Sequence, residues 1–365
     1  MNQVVLLKSQ TNSRGGLEKH ADLIAKEFIK RGAQVTRLSM PTAFESFWPK
    51  FWRLERFDRF VSQWLAKNPS DIVFGMDRNR YQTHLRAGNG VHAAYLQSRR
   101  QNEHSLSSRL FAINPLHRKI LSLEKAAFEN PFLRKLFTNS RMVRDEVLRF
   151  YQVDPQKIQV IHNGVEWTQM ESAFVEWPIQ KLAILHRLGL PLDSFHFLFV
   201  GHGFQRKGLE PLLEALSHLK SQDFHLSVVG KDKQIHFYQK QAERLGLQTR
   251  VHFFDNQSDV RPFYQMADCL VIPSFYDPFA NVTVEALAMG LYVVSSKHNG
   301  GHEILTAENG QIIEDLQHLD SLIASLQKAL QRYKTQQRAP LIRESVRHLD
   351  FSKQLTLLID AVYES

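Results

Sequence analysis

The stretch FVGHGFQRKGLEPLLEAL, residues 199–216, decides the fold. It completes an apolar run over 197–200, continues through a glycine-rich loop over 201–208, and enters a helix predicted from Leu209 to Leu219. A strand, a glycine-rich loop and a helix in this order are typical of a parallel α/β domain. A ligand of such a domain is expected at the loop, beside the carboxyl end of the strand.

Short apolar strands alternate with helical patterns on both sides of this stretch. The predicted strands are residues 4–8, 34–38, 71–75, 136–139, 158–161, 197–200, 225–229, 251–254, 269–272 and 292–295. The series restarts at His196, and the less regular segment 164–194 is interpreted as a linker. The sequence therefore predicts an α/β protein of two Rossmann-like, doubly wound domains, residues 1–165 and 166–345, with a cleft between them.

Length and composition are those of a globular protein with two cores. The 365 residues are 43% hydrophobic and 23% charged, which excludes a disordered tail, a fibrous repeat and a disulfide-stapled miniprotein. The single cysteine, Cys269, allows no internal disulfide and favours a reducing compartment. No apolar run has the length of a signal peptide core or a membrane span, so a cytoplasmic location is expected.

The net charge of +9 is unevenly distributed. Residues 1–165 carry 27 Lys and Arg against 14 Asp and Glu, a net charge of +13, whereas residues 166–365 carry a net charge of −4. The basic half indicates an anionic partner, which could be a nucleic acid, an anionic lipid or a phosphorylated substrate. Charge that serves solubility alone is the alternative.

Two glycine-rich loops each lie between a strand and a helix. Gly15 and Gly16 would let the backbone approach a ligand closely, although the loop departs from the GxGxxG dinucleotide motif and could be a plain turn. In the second loop, Arg206 and Lys207 suit a diphosphate, because Arg can contact two oxygens at once and Lys adds a compact charge. A solvated basic loop is the alternative.

The segment PSFYDPFANVTVEALAMG, residues 273–290, contains two carboxylates. Its spacing places Asp277 on a loop and Glu285 about one turn inside a helix, with the amides of Asn281, Val282, Thr283 and Val284 directed at the same space. Carboxylates suit ribose or sugar hydroxyls, and helix amides suit phosphate. A surface Asp and an unrelated helical Glu are the alternative.

Further candidates lie in the first half of the chain. His92 follows the glycine-rich loop 88–91, although a lone histidine is more often structural. Asp77, Arg78 and Arg80 could contact a phosphorylated acceptor or form a surface salt-bridge cluster. Asn163, in the sequence HNGV, is interpreted as part of a hinge.

These motifs resemble a known enzyme family. Six segments resemble, in order and spacing, the retaining, nucleotide-sugar-dependent glycosyltransferases of GT-B fold. They are GGLEKH, IQVIHNGV, FVGHGFQRKGLEPLLEAL, VVGKDK, RVHFFDNQSDVRPFYQMADCLVIPS and DPFANVTVEALAMG. The sequence looks most like the bacterial lipopolysaccharide core glucosyltransferases of this family. The similarity is dense over residues 158–310 and thinner over residues 1–157.

The resemblance implies where a donor such as UDP-glucose binds. Gly15 and Gly16 would line its diphosphate, and Arg206 and Lys207 would bind the diphosphate and stabilise the leaving UDP. The helix that begins near residue 281 would place its first amides on the phosphate. Glu285 would hold the ribose hydroxyls.

The resemblance also implies roles around the transferred sugar. Asp277 occupies the first acidic position of the family's E-x7-E motif, where the family has Glu, so the sugar contact is retained but the identity of the sugar is open. His92 lies where related enzymes carry a polar group near the transferred sugar. The C-terminal helix within 346–365 would return to the first domain, as in relatives.

No metal or other cofactor is expected. The Asp-x-Asp signature of the other major glycosyltransferase fold does not occur in the chain. Arg206, Lys207 and the helix amides would then meet the charge on the leaving diphosphate. The resemblance favours a front-face route in which the departing phosphate takes the proton of the acceptor.

Residues 97–150 form a basic stretch with interleaved apolar residues. They contain 11 Lys and Arg against 5 Asp and Glu, with Arg99, Arg100 and Arg109 among them. Such a stretch can lie on an anionic membrane surface, although it could equally be a helix packed on its own domain. Together with the resemblance, it implies peripheral association with the inner face of a bacterial inner membrane and a lipid-linked saccharide acceptor.

We therefore expect a metal-independent, retaining hexosyltransferase. A transferase of the same fold with another sugar and acceptor is the first alternative. A nucleic-acid-binding protein is the second, although no recognisable RNA- or DNA-binding module is present and we expect no nucleic acid partner. A catalytically inactive scaffold is the third, and the intact pairs Arg206/Lys207 and Asp277/Glu285 argue against it.

Overall fold

The computed structural model describes residues 3–8, 16–39, 49–102 and 114–365. The chain forms two compact units. The N-terminal unit comprises Met1–His162 together with Gln354–Ser365, and the C-terminal unit comprises Asn163–Lys353. Each unit contains one six-stranded sheet in which every pair of neighbouring strands is parallel.

The N-terminal sheet has the strand order β2-β1-β3-β4-β5-β6. Its strands are β1 Gln3–Lys8, β2 Gln34–Ser39, β3 Ile72–Gly75, β4 His84–Arg86, β5 Lys135–Thr138 and β6 Ile158–Val160. Its helices are α1 Gly16–Lys30, α2 Lys50–Lys67, α3 His92–Asn102, α4 Pro115–Phe128 and α5 Arg141–Phe150. The C-terminal helix Phe351–Tyr363 buries Leu358 and Ile359 in the core of this unit, against Val4, Ile24 and Phe28.

The C-terminal sheet has the strand order β12-β11-β10-β7-β8-β9. Its strands are β7 Phe195–Val200, β8 Phe224–Val229, β9 Val251–Phe254, β10 Cys269–Ile272, β11 Tyr292–Ser296 and β12 Gly310–Ile313. Its helices are α6 Trp167–Arg187, α7 Phe204–Lys207, α8 Leu209–Ser217, α9 Ile235–Arg244, α10 Arg261–Met266, α11 Asn281–Ala288, α12 Leu319–Ala329 and α13 Arg338–Ser345.

The central strand β7 is buried on both faces of the sheet. All six of its residues are buried, as expected for a parallel strand covered by helices on each side. Phe195, Phe197 and Phe199 belong to one apolar core, whereas Leu198 and Val200 belong to the other. The two-residue period of a strand thus divides the apolar run of β7 between two separate cores.

The chain reverses its direction of winding beside β7. This strand lies between β8 and β10, so the connections leaving β7 and β10 run to opposite sides of the sheet. Loops at the carboxyl ends of such a strand pair separate and leave a crevice where ligands of open α/β sheets bind. The two loops concerned are residues 201–208 and 273–280, which contain the candidate donor-binding residues.

The predicted fold class, two Rossmann-like α/β domains, is confirmed. Every predicted strand is present, and the structure adds the short strands β4 and β12. The interpretation of residues 164–194 as a linker is wrong, because this segment contains the 21-residue helix α6. Pro178 lies inside that helix, and Val175 and Ile179 are exposed, so its apolar residues do not follow one clean helical face.

Three histidines form a row across the amino ends of β7, β8 and β9. The rings of His196 and His225 stack with their centroids 5.9 Å apart, and His225 Nδ1 lies 3.0 Å from His252 Nε2. Burial lowers the pKa of all three imidazoles, and the charge of a neighbouring imidazole lowers it further. The folded unit therefore favours the neutral form of each ring.

We predict that this row makes the C-terminal unit sensitive to mild acid. An unfolded histidine takes up its proton near pH 6.5, whereas the folded rings resist protonation, so their contribution is complete above pH 6.5 and is lost as the pH falls below it. The measurement is the denaturation midpoint of the full chain at pH 7.5 and at pH 5.5. His225→Gln should show a smaller drop between these pH values than the wild type.

The matched control is His186→Gln, which changes an exposed histidine on α6. It should retain the pH dependence of the wild type. An equal drop in wild type and His225→Gln would contradict the role of the row.

Candidate donor-binding site

The loop after β7 is held in place at both ends of the short helix α7. Gly203 and Gly208 flank this helix with φ angles of +70° and +78°, values that favour glycine. The Phe204 ring is fully buried against Phe199, and its backbone N–H donates to Asp232 Oδ2 over 2.7 Å. These contacts fix the direction in which the following Arg206 and Lys207 side chains leave the backbone.

Arg206, Lys207 and Asp277 form a compact cluster. Asp277 Oδ2 accepts from Arg206 Nη1 over 2.8 Å and lies 2.7 Å from Lys207 Nζ. Arg206 Nη1 also donates to the carbonyl of Tyr276 over 2.8 Å. The structure thus brings Asp277 to two adjacent cations that lie about 70 positions before it in the sequence.

The cluster carries more positive than negative charge. Burial disfavours an ionised Asp277, but the charges and hydrogen bonds of Lys207 and Arg206 outweigh burial and lower the pKa of this carboxyl. Two cations against one carboxylate leave an excess positive charge. The Lys207 side chain is buried, whereas 37% of the Arg206 side chain is exposed, so Arg206 is the cation of the pair that an anion from solvent could reach.

The backbone of Asp277 is held by the segment that follows β11. The N–H of Asp277 donates to the carbonyl of His298, and the N–H of Gly300 donates to the carbonyl of Asp277, both over 2.9 Å. The loop after β10 therefore pairs with residues 298–300 like one more short parallel strand. This pairing fixes the position from which the Asp277 carboxylate reaches the two cations.

Helix α11 begins at the same edge without a capping side chain of its own. Ala280 precedes the helix and offers no side-chain acceptor, and the first turn contains no acidic residue. A helix cannot supply acceptors for its first amides, and the residues that the structure describes offer no acceptor to the N–H groups of Asn281 and Val282, so these groups could bind a ligand. The amide and hydroxyl of Thr283 are engaged within the loop, with Ala280 and Asn299 respectively.

Glu285 lies one turn further along α11. Its Oε2 accepts from the Tyr264 hydroxyl over 2.8 Å. Burial raises the pKa of Glu285, while the hydrogen bond from Tyr264 and the charge of Lys207 act in the opposite direction. One oxygen of the Glu285 carboxyl group, Oε2, is thus held by the hydroxyl of Tyr264.

Two asparagines hold the start of α11, and sequence reasoning did not assign either to the site. Asn299 is fully buried; its Oδ1 accepts from the Ala280 amide over 2.9 Å, and its Nδ2 donates to Thr283 Oγ1 over 3.1 Å. Asn163 Nδ2 donates to Asn281 Oδ1 over 2.7 Å. Both asparagines occur in the tripeptide His-Asn-Gly, and this repeat is the signal that could have revealed them.

The remaining candidates belong to the N-terminal unit. Gly15 lies outside the described residues, and Gly16 is the first residue of α1. The backbone N–H of His92 donates to Glu124 Oε1 over 2.8 Å, and its ring nitrogen Nε2 lies 3.0 Å from His117 Nδ1. Burial and the nearby Arg78 charge lower the pKa of His92 to about 4, so its ring is neutral near pH 7.

Arg78 and Arg80 both form ion pairs within the N-terminal unit. Arg78 Nε donates to the fully buried Glu124 over 2.6 Å, and Arg78 Nη2 donates to the Gly90 carbonyl over 2.8 Å. Arg80 Nε lies 2.9 Å from Asp58 Oδ2. Glu124 therefore ties the loops after β3 and β4 together, which supports the salt-bridge interpretation of these arginines.

Two family descriptions match the chain, one in each unit. Residues 14–168 match Glycosyltransferase Family 4, and residues 181–341 match Glycosyl transferases group 1. With two parallel doubly wound sheets, the chain belongs to the glycosyltransferases of GT-B fold. The predicted resemblance to glycosyltransferases of GT-B fold is confirmed.

Individual relatives and solved structures are similar to this chain over most of its length. The lipopolysaccharide glucosyltransferase WaaG of Escherichia coli (strain K12) is 27% identical over 332 residues, which cover 87% of this chain and 86% of the relative. The crystal structure of WaaG, a glycosyltransferase involved in lipopolysaccharide biosynthesis, matches 99% of this chain and 100% of its own with a TM-score of 0.76 and 23% identity. Anabaena HepE in complex with UDP-glucose matches 100% of both chains with a TM-score of 0.67 and 18% identity.

We predict that Gly208 maintains the close approach of the two site loops. A Cβ at Gly208 would lie 1.9 Å from the carbonyl oxygen of Pro273, whereas a Cβ at Gly203 would have no atom within 4 Å. Gly203→Ala should cost about 1–2 kcal/mol of unfolding free energy through its backbone conformation alone. Gly208→Ala should cost about 1–3 kcal/mol more, because the loops must separate.

Denaturant unfolding of both variants measures this difference, and Gly203→Ala serves as the matched control. Equal destabilisation of the two variants would show that the approach of Gly208 to Pro273 carries no cost.

Proposed function

We propose that the protein transfers a hexose, glucose from UDP-glucose, onto a lipopolysaccharide core or another lipid-linked saccharide, with retention of configuration. The observation that carries the proposal is the Arg206–Lys207–Asp277 cluster beside the uncapped start of α11, at the winding reversal of the C-terminal sheet. This edge of the sheet combines the charges of Arg206, Lys207 and Asp277 on two neighbouring loops with the first amides and Glu285 of α11. Each of these suits one part of a nucleotide sugar.

The donor would be bound through three kinds of contact. The partly exposed side chain of Arg206 and the amides of Asn281 and Val282 would bind the diphosphate. Glu285 would accept hydrogen bonds from the ribose hydroxyls. Asp277 Oδ2 is engaged by both cations, so its second oxygen would face a hydroxyl of the transferred sugar.

The transfer step follows from the same charges. The bond between the sugar C1 and the diphosphate oxygen breaks, and its electron pair stays on UDP, where Arg206 and Lys207 stabilise it. The acceptor hydroxyl oxygen forms the new bond to C1 from the same face, and its proton passes to the departing phosphate. With the two cations and the helix amides on the diphosphate, we propose that transfer requires no metal ion.

The choice of glucose and of a lipid-linked acceptor rests on the relatives. The relative that matches most of the chain is named as a lipopolysaccharide glucosyltransferase. A protein with a similar fold over its whole length has been crystallised with UDP-glucose. The basic N-terminal half of the chain suits an acceptor embedded in an anionic membrane.

The proposal is tested by calorimetric titration with UDP-glucose, UDP-GlcNAc and GDP-mannose in the presence of EDTA, followed by turnover assays. We expect UDP-glucose to bind preferentially without metal. Arg206→Ala should lower kcat by about 10²–10³-fold, because it removes a charge aimed at the leaving diphosphate.

The control for this test is Arg244→Ala, which removes an exposed arginine on α9 and should leave turnover unchanged. Preferential binding of another nucleotide sugar would leave the proposed transferase activity standing and would reject UDP-glucose as the donor. Binding that appears only with added metal would reject metal independence, and an absence of binding to all three donors would reject the proposal.

We further propose that the N-terminal unit contacts an anionic membrane surface. Arg99 and Arg100 lie in the last turn of α3, and the exposed Arg118 lies on α4. Residues 103–113 of the predicted basic stretch, with Arg109, lie outside the described residues. Among the helices that the structure describes, none is long and apolar enough to cross a membrane. We propose surface contact at the inner face of the inner membrane.

The membrane contact predicts weaker binding when two of these charges are removed. Each basic residue near an anionic surface contributes about 1 kcal/mol, so the double variant Arg99→Gln/Arg100→Gln should lower partitioning onto phosphatidylglycerol vesicles by about tenfold or more. Co-sedimentation with vesicles measures this effect. The control Arg244→Gln/Arg332→Gln removes equal charge from the C-terminal unit, and equal losses in both double variants would contradict a specific contact.

A further inference from the structure

The two oxygens of the Glu285 carboxylate have different surroundings. Oε2 accepts from the Tyr264 hydroxyl over 2.8 Å. Oε1 has no hydrogen-bond partner among the residues that the structure describes, and Glu285 keeps part of its surface exposed. One oxygen is therefore held by the protein, and the other is open to a ligand.

Tyr264 is anchored independently of this hydrogen bond. Its side chain is 1% exposed and belongs to the apolar core between the sheet and α6. Its backbone carbonyl accepts from the buried Lys334 Nζ over 3.0 Å, and the neighbouring Gln265 donates to the carbonyl of Ala173 over 2.9 Å. These contacts fix the position from which the Tyr264 hydroxyl donates to Glu285.

The hydroxyl of Tyr264 needs an explanation, because phenylalanine would fill the same apolar core. A buried hydroxyl without a hydrogen-bond partner is destabilising. A tyrosine is therefore favourable at this position only if its hydroxyl forms a hydrogen bond. Glu285 is the partner that the structure provides. The hydrogen bond restricts rotation of the carboxylate about its terminal torsion, which is otherwise broad.

We infer that Tyr264 is the positioning residue that fixes Glu285 for recognition of the nucleotide ribose, with Oε1 as the acceptor for a ribose hydroxyl. This inference rests on the proposed function and deepens it, because it assigns ribose discrimination to a pair of residues rather than to Glu285 alone. The ligand class is a nucleoside diphosphate with an intact ribose. Tyr264 itself contacts no ligand in this role.

The inference is tested with UDP and 2′,3′-dideoxy-UDP as calorimetric probes of the full chain. Wild-type protein should bind UDP more tightly than the dideoxy compound. Tyr264→Phe should weaken the binding of UDP about three- to tenfold, which is the range expected for a lost hydrogen bond. It should leave the affinity for the dideoxy compound unchanged. Tyr292→Phe, a buried tyrosine at the amino end of β11, is the matched control and should bind both ligands like the wild type.

A second variant separates positioning from general loosening of the core. In a Glu285→Gln background, Tyr264→Phe should reduce the affinity for UDP by less than it does in the wild type, because the carboxylate that Tyr264 positions has been removed. Equal weakening of UDP and dideoxy-UDP by Tyr264→Phe, or an unchanged effect in the Glu285→Gln background, would overturn the inference.

The pH dependence of UDP binding gives an independent readout. The groups that act on the Glu285 carboxyl are Tyr264 from α10 and Lys207 from α7, and both lower its pKa against the effect of burial. Removing the Tyr264 hydroxyl should raise this pKa further, so the acid-side loss of UDP affinity should begin at a higher pH in Tyr264→Phe. An unshifted profile overturns the inference while the proposed function stands, whereas wild-type protein that fails to bind UDP overturns both.

Discussion

The arrangement of the candidate donor-binding edge depends on one carboxylate oxygen, Asp277 Oδ2, which is shared by Arg206 and Lys207. Two cations in a partly buried loop repel each other and lose hydration, and a common counter-ion offsets both costs. The carboxylate can serve both only because its backbone is paired with residues 298–300, and the cations reach it only because two loops meet at the winding reversal of the sheet. Charge, loop conformation and strand order are therefore linked at a single atom.

The same edge shows how the protein keeps a helix N-terminus available to an anion. An acidic cap at the start of α11 would satisfy the free amides but would also cancel the positive end of the helix dipole. The buried Asn299 instead binds the Ala280 amide as a neutral acceptor, and its amino group holds Thr283. Asn163 binds Asn281 from the other side. The helix start is thus immobilised without added negative charge, and this arrangement is consistent with a diphosphate as the ligand.

Much of the fold and of the site could be predicted from local patterns. Apolar runs of four to six residues, such as the one in β7, indicate strands whose two faces are both buried, and glycine-rich loops between strands and helices indicate the candidate ligand-binding edge. Prediction failed where a local pattern was weak. Helix α6 was missed because Pro178 and exposed apolar residues blur its helical face, and β4 was missed because a three-residue strand carries almost no periodic signal.

The sequence by itself determined the residue types available for chemistry: two adjacent cations, two carboxylates eight positions apart, and a helix start without an acidic cap. These features are set by residues close together in the sequence. The positions of the strands and helices follow from the same local sequence patterns. Only the tertiary structure decided which groups meet. The pairing of Asp277 with both cations, the bond from Tyr264 to Glu285 and the contacts of the two asparagines join residues 16 to 118 positions apart. Such contacts depend on the order of strands in the sheet, which no local pattern encodes.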